Sequence, residues 1–154
     1  MPVLYIGLGS NLGDKRGNIK KALALISERV GVILALSDFY ETEPWGYDST
    51  EQYINVTVKV ETKLLPEELL FLSQKIEQET GRNKKTSCGE YHDRVIDIDI
   101  LLYDNQILQT PDLSIPHPLM HLRQFVLQPL SEIAPDIVHP VLNKTIEELL
   151  RLLR

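Results

Sequence analysis

Two aspartates interrupt an apolar run in the segment Arg94-Val95-Ile96-Asp97-Ile98-Asp99-Ile100-Leu101-Leu102. As a β-strand this segment has a period of two, so Asp97 and Asp99 leave one face and the isoleucines leave the other. Aspartate is a poor strand former, which makes the repetition unusual. Two carboxylates about 7 Å apart on one face can share hard cations such as Mg²⁺, which completes its shell with water and phosphate oxygens. We therefore predict a metal-dependent phosphate site, against the alternative of a half-buried strand whose two aspartates face water.

Arg94 precedes this strand and strengthens the prediction. Its guanidinium is permanently charged, and its planar fork matches the oxygens of a phosphate group. A cation beside two carboxylates therefore favours a metal and phosphate site over two aspartates that simply face water.

The length and composition predict one domain spanning residues 1–154. A chain of 154 residues can bury a core without disulfides or a structural metal. The single cysteine, Cys88, cannot form an intrachain disulfide, which favours a reducing compartment. The N-terminal residues lack a basic segment and a cleavage site, and no apolar run reaches membrane-spanning length. We expect a cytoplasmic protein without a membrane partner.

The chain is acidic. Its net charge of −6 argues against a nucleic-acid partner, because phosphate backbones attract basic faces. A small polyanionic ligand is compatible with this charge if metal ions and locally gathered cations neutralise it. The candidate cations are Arg82, Lys84, Lys85, Arg94 and Arg123.

The order of predicted elements is strand, helix, strand, strand, helix, strand, followed by helices. Strands are expected at residues 3–6, 32–40, 53–62 and 94–103, and helices at about 18–29, 66–81 and 120–133. Thr145 and Glu148 form a capping box that opens a last amphipathic helix. This order predicts an α+β fold with a ferredoxin-like core, in which helices cover an antiparallel sheet, elaborated at the C-terminus.

The glycines after the first strand do not form a known nucleotide motif. Gly7, Gly9 and Gly13 miss the dinucleotide-binding spacing, and the chain has no Gly-x-x-x-x-Gly-Lys-Ser/Thr sequence. We expect these glycines to end the strand in a tight turn that feeds the first helix, with a phosphate cradle as the weaker alternative.

Two histidines stand four residues apart. His117 and His121 could share a zinc ion, but Pro118 lies between them and no third soft ligand is near. We expect His117 either to contact a phosphate or to be a core histidine satisfied by backbone groups.

Two segments suggest recognition of a flat heterocycle. Tyr53 and Asn55 alternate on a strand, so they share one face as a stacking ring and an amide that can read a ring edge. The alternative is an ordinary amphipathic strand. Trp45 follows a proline in a long loop and is either a packing anchor or a side chain that closes over a ligand.

Taken together, these motifs resemble those of the 6-hydroxymethyl-7,8-dihydropterin pyrophosphokinases of folate biosynthesis. The resemblance runs in order from Tyr5 to about Asp136, and it rests on residues 9–13, 39–44, 53–55, 81–82, 94–101, 116–118 and 123–130. It implies an ATP-dependent enzyme that transfers a diphosphate from ATP to the pterin hydroxymethyl group and leaves AMP. Its partners would be small-molecule substrates, and nothing in the sequence identifies a protein partner.

The resemblance also implies roles for individual residues. Asp97 and Asp99 would hold two Mg²⁺ ions, and Arg82 and Arg94 would join them as catalytic residues. The pterin would be bound by Thr42, Pro44, Trp45, Tyr53, Asn55 and Phe125. ATP would be bound by Gln74, Glu77, Arg82, Lys84, Arg94, Ile98, His117 and Arg123.

Two loops, at about residues 43–51 and 82–90, resemble the family's mobile lids. The second departs from the family pattern. Many relatives read Arg-Trp-Gly-Pro-Arg before the aspartate strand, whereas this chain has Glu90-Tyr91-His92-Asp93-Arg94 in a slightly longer loop, so that Tyr91 could replace the aromatic residue but Glu90 reverses a charge. Lys84 stands where a second loop arginine is common. These departures affect the expected lid contacts and leave the aspartate pair untouched.

Two other classes of function are weighed beside the enzyme. A ferredoxin-like module that senses a metabolite without turning it over would not need paired aspartates facing several cations. An RNA-binding module of similar topology would carry a basic aromatic motif on its sheet, which this acidic chain lacks.

Overall fold

The computed structural model describes residues 1–42, 52–81 and 95–154. The strands in these ranges are β1 (Val3–Ser10), β2 (Gly31–Leu36), β3 (Tyr40–Thr42), β4 (Tyr53–Thr62), β5 (Asp97–Tyr103), β6 (Leu108–Gln109) and β7 (Ser114–Ile115). The helices are α1 (Lys15–Arg29), α2 (Pro66–Thr80), α3 (Gln124–Ile133) and α4 (Ile146–Leu153), with a short 3₁₀ helix at Met120–Leu122.

The main sheet is antiparallel and has the order β2-β4-β1-β5, with β3 paired to β4. This is the strand order of a ferredoxin-like core, so the predicted α+β fold is confirmed. β5, which carries both aspartates, lies at one edge of the sheet beside β1.

Each face of the sheet packs against its own pair of helices. On one face, alternate residues of β1, β4 and β5 pack with apolar residues of α1 and α2. On the other face, Tyr5 and Leu101 pack with α3 and α4. Asp97 and Asp99 alternate with buried isoleucines and share the face of Leu101. The two carboxylates therefore lie on the α3 side of the sheet.

Two of the predicted helix starts are confirmed by the structure. The capping box predicted at Thr145 is confirmed, because its Oγ1 accepts a hydrogen bond from the Glu148 backbone N–H at 3.1 Å. Pro66 opens α2, as predicted. α1 begins three residues before the expected start, since Asp14 caps it by accepting a hydrogen bond from Gly17 N–H. None of the helices in the described ranges is long and apolar enough to cross a membrane.

The prediction that glycines end the first strand was wrong. β1 continues through Gly7 and Gly9 to Ser10, and of the three glycines only Gly13 has a positive φ, of 68°. A Cβ at Gly9 would lie 2.8 Å from Oδ1 of Asn55 on the neighbouring strand. Gly9 therefore permits a close side-chain approach within the sheet, and the turn comes later.

Two further predictions of strands and helices needed correction. The single strand expected at residues 32–40 is divided into β2 and β3, because the chain leaves the edge of the sheet at Ser37 and rejoins β4 at Tyr40. The helix expected at residues 120–133 is a 3₁₀ turn followed by α3, with Arg123 in an extended conformation between them.

Candidate active site

The two aspartates of β5 stand opposite two glycines of β1. Asp97 pairs with Gly9 and Asp99 pairs with Gly7 in the antiparallel register. Both carboxylates are half-buried, and the side chain of Asp99 is 31% exposed. Since the facing glycines have no side chains, the space above this part of the sheet is open to a ligand.

This space forms a pocket, here called the central pocket, between the sheet and the start of α3. It brings together seven of the side chains singled out from the sequence: Thr42, Tyr53, Asn55, Asp97, Asp99, Arg123 and Phe125. They come from β3, β4, β5 and the N-terminal end of α3. Residues distant in the sequence thus meet around one concave surface, which is the usual form of a small-molecule site.

Asn55 is held in place by its neighbours. It is only 7% exposed, and its Nδ2 donates a hydrogen bond of 2.6 Å to Oγ1 of Thr42. Thr42 lies opposite Tyr53 in the β3–β4 pairing. The amide and the ring predicted to recognise a heterocycle therefore belong to one fixed surface.

Arg123 and Phe125 form the opposite wall. Arg123 is 6% exposed, and its guanidinium carbon lies 5.5 Å from the centroid of the Phe125 ring. At this distance the cation and the ring attract each other. The pocket thus has an aromatic wall with a positive charge beside it.

A second cavity, here called the side cavity, opens at the β5 edge. It is lined by Ile98, Ile100 and Asp99 of β5, by Leu70 and Ser73 of α2, by the β6–β7 hairpin and by His117. Asp99 lines both cavities. It is therefore common to the linings of the two cavities.

His117 is neutral at physiological pH. Burial, with a smaller contribution from the charge of Arg123, lowers its pKa to about 4. Its Nδ1 accepts a hydrogen bond from the Leu119 backbone N–H at 3.1 Å, which assigns the remaining proton to Nε2. Nε2 lies 3.9 Å from Oδ1 of Asp99. His117 thus presents a neutral N–H donor, and the contact with Asp99 is not an ion pair.

Two predicted nucleotide-binding residues lie on α2. Gln74 is exposed. Glu77 is buried, and its Oε2 accepts a hydrogen bond of 2.9 Å from the backbone N–H of Ile98. Glu77 therefore holds the backbone of β5 between the two aspartates.

Five predicted site residues, and both expected lids, fall outside the described ranges. These residues are Pro44, Trp45, Arg82, Lys84 and Arg94. Conversely, sequence reasoning did not identify Ser73, Thr110, Asp112 and Ser114, which line the side cavity. They are ordinary helix and hairpin residues without a motif, so no signal in the sequence distinguished them.

The donor set fits magnesium bound together with a phosphate ligand. Within the described ranges no group of three or more His, Cys, Asp and Glu residues could hold a metal ion. Two carboxylates, however, are what Mg²⁺ typically takes from a protein when substrate phosphates supply further oxygens. Asp97 and Asp99 are such a pair, half-buried and on one face of β5.

The chain is similar to proteins of one family along almost its whole length. A family model described as 7,8-dihydro-6-hydroxymethylpterin-pyrophosphokinase matches residues 5–135. A 2-amino-4-hydroxy-6-hydroxymethyldihydropteridine pyrophosphokinase of Porphyromonas gingivalis is 48% identical over 141 residues, which are 91% of this chain and 95% of that protein. The protein of the same name from Aquifex aeolicus is 40% identical, over 96% of this chain and 90% of the relative.

Solved structures show the same fold. The crystal structure of a Plasmodium falciparum HPPK-DHPS triple mutant superimposes with a TM-score of 0.81 at 19% identity, covering 98% of this chain. This chain spans 43% of that longer chain. At this identity the likeness concerns the fold alone.

Proposed function

Because the chain belongs to the 7,8-dihydro-6-hydroxymethylpterin-pyrophosphokinase family, we propose that the central pocket and the side cavity hold the two substrates of this enzyme. The reaction transfers a diphosphate from ATP to the hydroxymethyl group of the dihydropterin. The pterin oxygen forms a bond to the β-phosphorus, and the bond from that phosphorus to the oxygen of the α-phosphate breaks. AMP leaves, and the hydroxyl group loses its proton.

The position of Asp99 is the observation that carries this proposal. It lines the central pocket together with the aromatic and amide groups, and it lines the side cavity together with His117. A donor and an acceptor bound in these two cavities would place their reacting ends at the same carboxylate. Fixed proximity of this kind removes much of the entropic part of the barrier.

The central pocket suits the pterin. We assign stacking to Tyr53 and Phe125, which stand on different walls, and edge recognition to Asn55. Thr42 Oγ1 accepts a hydrogen bond from Nδ2 of Asn55, and this bond orients the amide. Pro44 and Trp45 remain predicted pterin contacts outside the described residues.

The side cavity suits the nucleotide. Ile98 and Ile100 supply an apolar surface, while the hairpin and Ser73 supply polar groups. His117 offers a neutral hydrogen-bond donor to a phosphate oxygen. Arg123 lines the central pocket, where its buried positive charge would face phosphates that extend from the nucleotide toward the pterin. Gln74, Glu77, Arg82, Lys84 and Arg94 stay as predicted contacts of ATP.

Asp97 and Asp99 would hold two Mg²⁺ ions with the triphosphate. When bound, the metal neutralises phosphate charge and fixes the in-line arrangement, which supplies most of the catalysis in phosphoryl transfer. The protein's own part is to hold both carboxylates on one rigid strand, beside glycines that leave room for the phosphates. We further propose that the enzyme acts in the cytoplasm, on small-molecule substrates, without nucleic acid.

Product analysis tests the function directly. The protein is incubated with ATP, Mg²⁺ and 6-hydroxymethyl-7,8-dihydropterin, and phosphorus NMR follows the nucleotide. We expect AMP and a pterin diphosphate in equal amounts. Formation of ADP, or binding of both substrates without any AMP, would contradict the proposal.

Substitution of the aspartates tests the metal assignment. We expect Asp97→Asn and Asp99→Asn to abolish turnover with the fold retained in circular dichroism, because each removes charge from the metal site and no apolar packing. Asp136→Asn is the matched control, since Asp136 is an exposed aspartate outside both cavities. Normal activity in either strand variant would remove the proposed metal role.

A further inference from the structure

Glu132, near the C-terminal end of α3, accepts hydrogen bonds from Asp38, which lies between β2 and β3, and from Tyr40, the first residue of β3. Its two carboxylate oxygens accept from the backbone N–H of Asp38, at 3.2 and 2.9 Å. Its Oε1 also accepts from the Tyr40 hydroxyl, at 2.5 Å. This set of contacts, here called the Glu132 clamp, connects α3 to the segment that enters β3.

The position of Glu132 is unfavourable for a helix taken by itself. A carboxylate in the last turn of a helix faces the negative end of the helix dipole, and α3 has no basic residue in that turn. The Asp38 and Tyr40 donors compensate for this. The presence of a glutamate at position 132 is thus explained by its hydrogen bonds to Asp38 and Tyr40, and not by any gain in the stability of α3.

The clamp joins the two walls of the central pocket. At one end of it, Tyr40 lies opposite Asn55 in the β3–β4 pairing, and Thr42, two residues further along β3, accepts the Asn55 hydrogen bond. At the other end, Phe125 precedes Glu132 by seven residues, which is about two helical turns, so both side chains leave the same side of α3. The contact therefore connects the Thr42–Asn55 wall to the helix that carries Phe125.

Besides the clamp, β3 is held by its pairing with β4, by the Thr42–Asn55 hydrogen bond and by limited packing against α3. It is three residues long and pairs only with β4 among the described strands. Short edge segments open easily when few contacts secure them. A carboxylate that accepts hydrogen bonds from two donors, the Asp38 N–H and the Tyr40 hydroxyl, is a strong restraint on the start of such a strand.

We propose that Glu132 and Tyr40 are positioning residues for the pterin, which set the width of the central pocket through β3 and α3 without touching the substrate. This inference rests on the proposed function. It assigns a part in pterin affinity, and none in nucleotide affinity, to an exposed glutamate outside both cavities.

The Tyr40 hydroxyl reports on the clamp in solution. The hydrogen bond to Glu132, with smaller effects of burial and nearby carboxylates, raises the pKa of Tyr40 to about 12. In Glu132→Gln we expect that pKa to fall toward the ordinary value of about 10. Tyr103, whose pKa is raised mainly by burial and whose hydroxyl donates to the Leu64 carbonyl, is the internal control in a carbon-13 NMR titration of the tyrosines.

Binding measurements test the role itself. Calorimetry with a non-hydrolysable ATP analogue and Mg²⁺ measures the affinity for the analogue and then for 6-hydroxymethyl-7,8-dihydropterin. We expect Glu132→Gln to weaken pterin binding about tenfold, and Tyr40→Phe to weaken it about threefold, as hydrogen bonds to a charged group are lost. Affinity for the ATP analogue should be unchanged, and in turnover the KM for pterin should rise with kcat retained.

Two comparisons separate a positioning role from general loss of stability. Glu79→Gln removes the bidentate pair of another exposed glutamate with Arg29, between α1 and α2, and should leave pterin affinity unchanged. The double variant Tyr40→Phe, Glu132→Gln should bind pterin as weakly as Glu132→Gln alone, because Tyr40 acts through Glu132.

The outcomes distinguish the two proposals. If the wild-type protein binds no pterin, the proposed function fails. If the wild type binds pterin and Glu132→Gln, folded by circular dichroism, binds it equally well, the clamp inference is overturned and the proposed function stands. Equal losses for pterin and the ATP analogue, or additive effects in the double variant, would also overturn the clamp.

Discussion

The amide of Asn55 illustrates how one residue's position depends on what its neighbours lack. Its Nδ2 donates a hydrogen bond to Thr42. Its Oδ1 lies next to Gly9 of β1, in space that a side chain at position 9 would need. Gly9 and Asn55 are directly paired in the β1–β4 register. A glycine that looks like a turn residue in the sequence is therefore part of the binding surface.

Substituting this glycine should affect the pterin and spare the nucleotide. A Cβ at Gly9 would lie 2.8 Å from Asn55 Oδ1 and 3.3 Å from the Tyr53 ring, so both side chains must move. We expect Gly9→Ala to weaken pterin binding by about tenfold or more, since a misplaced amide leaves polar groups unpaired. Calorimetry in the presence of the ATP analogue measures the pterin affinity of this variant and of the wild type.

Gly7→Ala provides the comparison within the same strand. The nearest atom to a Cβ at Gly7 is a Leu101 methyl carbon at 3.5 Å, an ordinary van der Waals contact. We expect a smaller loss of pterin affinity than in Gly9→Ala. Equal losses in the two variants would show that the Asn55 contact is not the reason for the glycine.

At the scale of elements, the sequence predicted what local pattern determines. The alternation of aspartate and isoleucine placed Asp97 and Asp99 on one face of β5, and the capping box located the start of α4. The error at β1 arose because the need for space beside Asn55, a tertiary requirement, is invisible in local glycine content. The β6–β7 hairpin was missed because each strand has only two residues, too few for a periodic signal.

The candidate site divides in the same way. Strand alternation singled out Tyr53, Asn55, Asp97 and Asp99, and the family resemblance added Thr42 and Phe125. The structure brings all six into one pocket. The α2 and hairpin residues of the side cavity could not be predicted as site residues, because only tertiary packing brings them beside β5.

The α4 cap gives a test at this scale. Thr145 Oγ1 accepts from Glu148 N–H, and Glu148 Oε1 accepts from Thr145 N–H at 3.0 Å. We expect Thr145→Ala to lower the free energy of unfolding by about 1 kcal/mol, the usual value of an N-cap, with kcat and KM unchanged. Urea denaturation measures the first, and steady-state assays the second.

Glu148→Gln is the control for this prediction. Glutamine also serves at the third position of a capping box, so this variant should lose less stability than Thr145→Ala. A larger loss of stability in Glu148→Gln than in Thr145→Ala would contradict the role given to the Thr145 cap. A change in KM in either variant would mean that α4 affects substrate binding as well as packing against α3.

On the scale of the whole molecule, the sheet separates two hydrophobic cores that support different parts of the candidate site. The core on the α1 and α2 side supports the floor of both cavities through β1, β4 and β5. The core on the other side holds α3, which carries Arg123 and Phe125 into the central pocket. Damage to the two cores should therefore have different functional consequences even when the loss of stability is the same.

A pair of leucine substitutions tests this division. Leu127 is fully buried on α3, two residues from Phe125, and Leu69 is 2% exposed on α2 in the opposite core. Leu127→Ala and Leu69→Ala should each lower the free energy of unfolding by about 2–5 kcal/mol, the range for buried leucines. Only Leu127→Ala should also weaken pterin binding, because the cavity it leaves lets α3 and its Phe125 ring shift against the sheet. Calorimetry under conditions where urea titration shows both variants folded provides the comparison. An equal loss of pterin affinity in Leu69→Ala would show that the sheet transmits strain between its faces, and that the pocket depends on the molecule as a whole and not on the placement of α3.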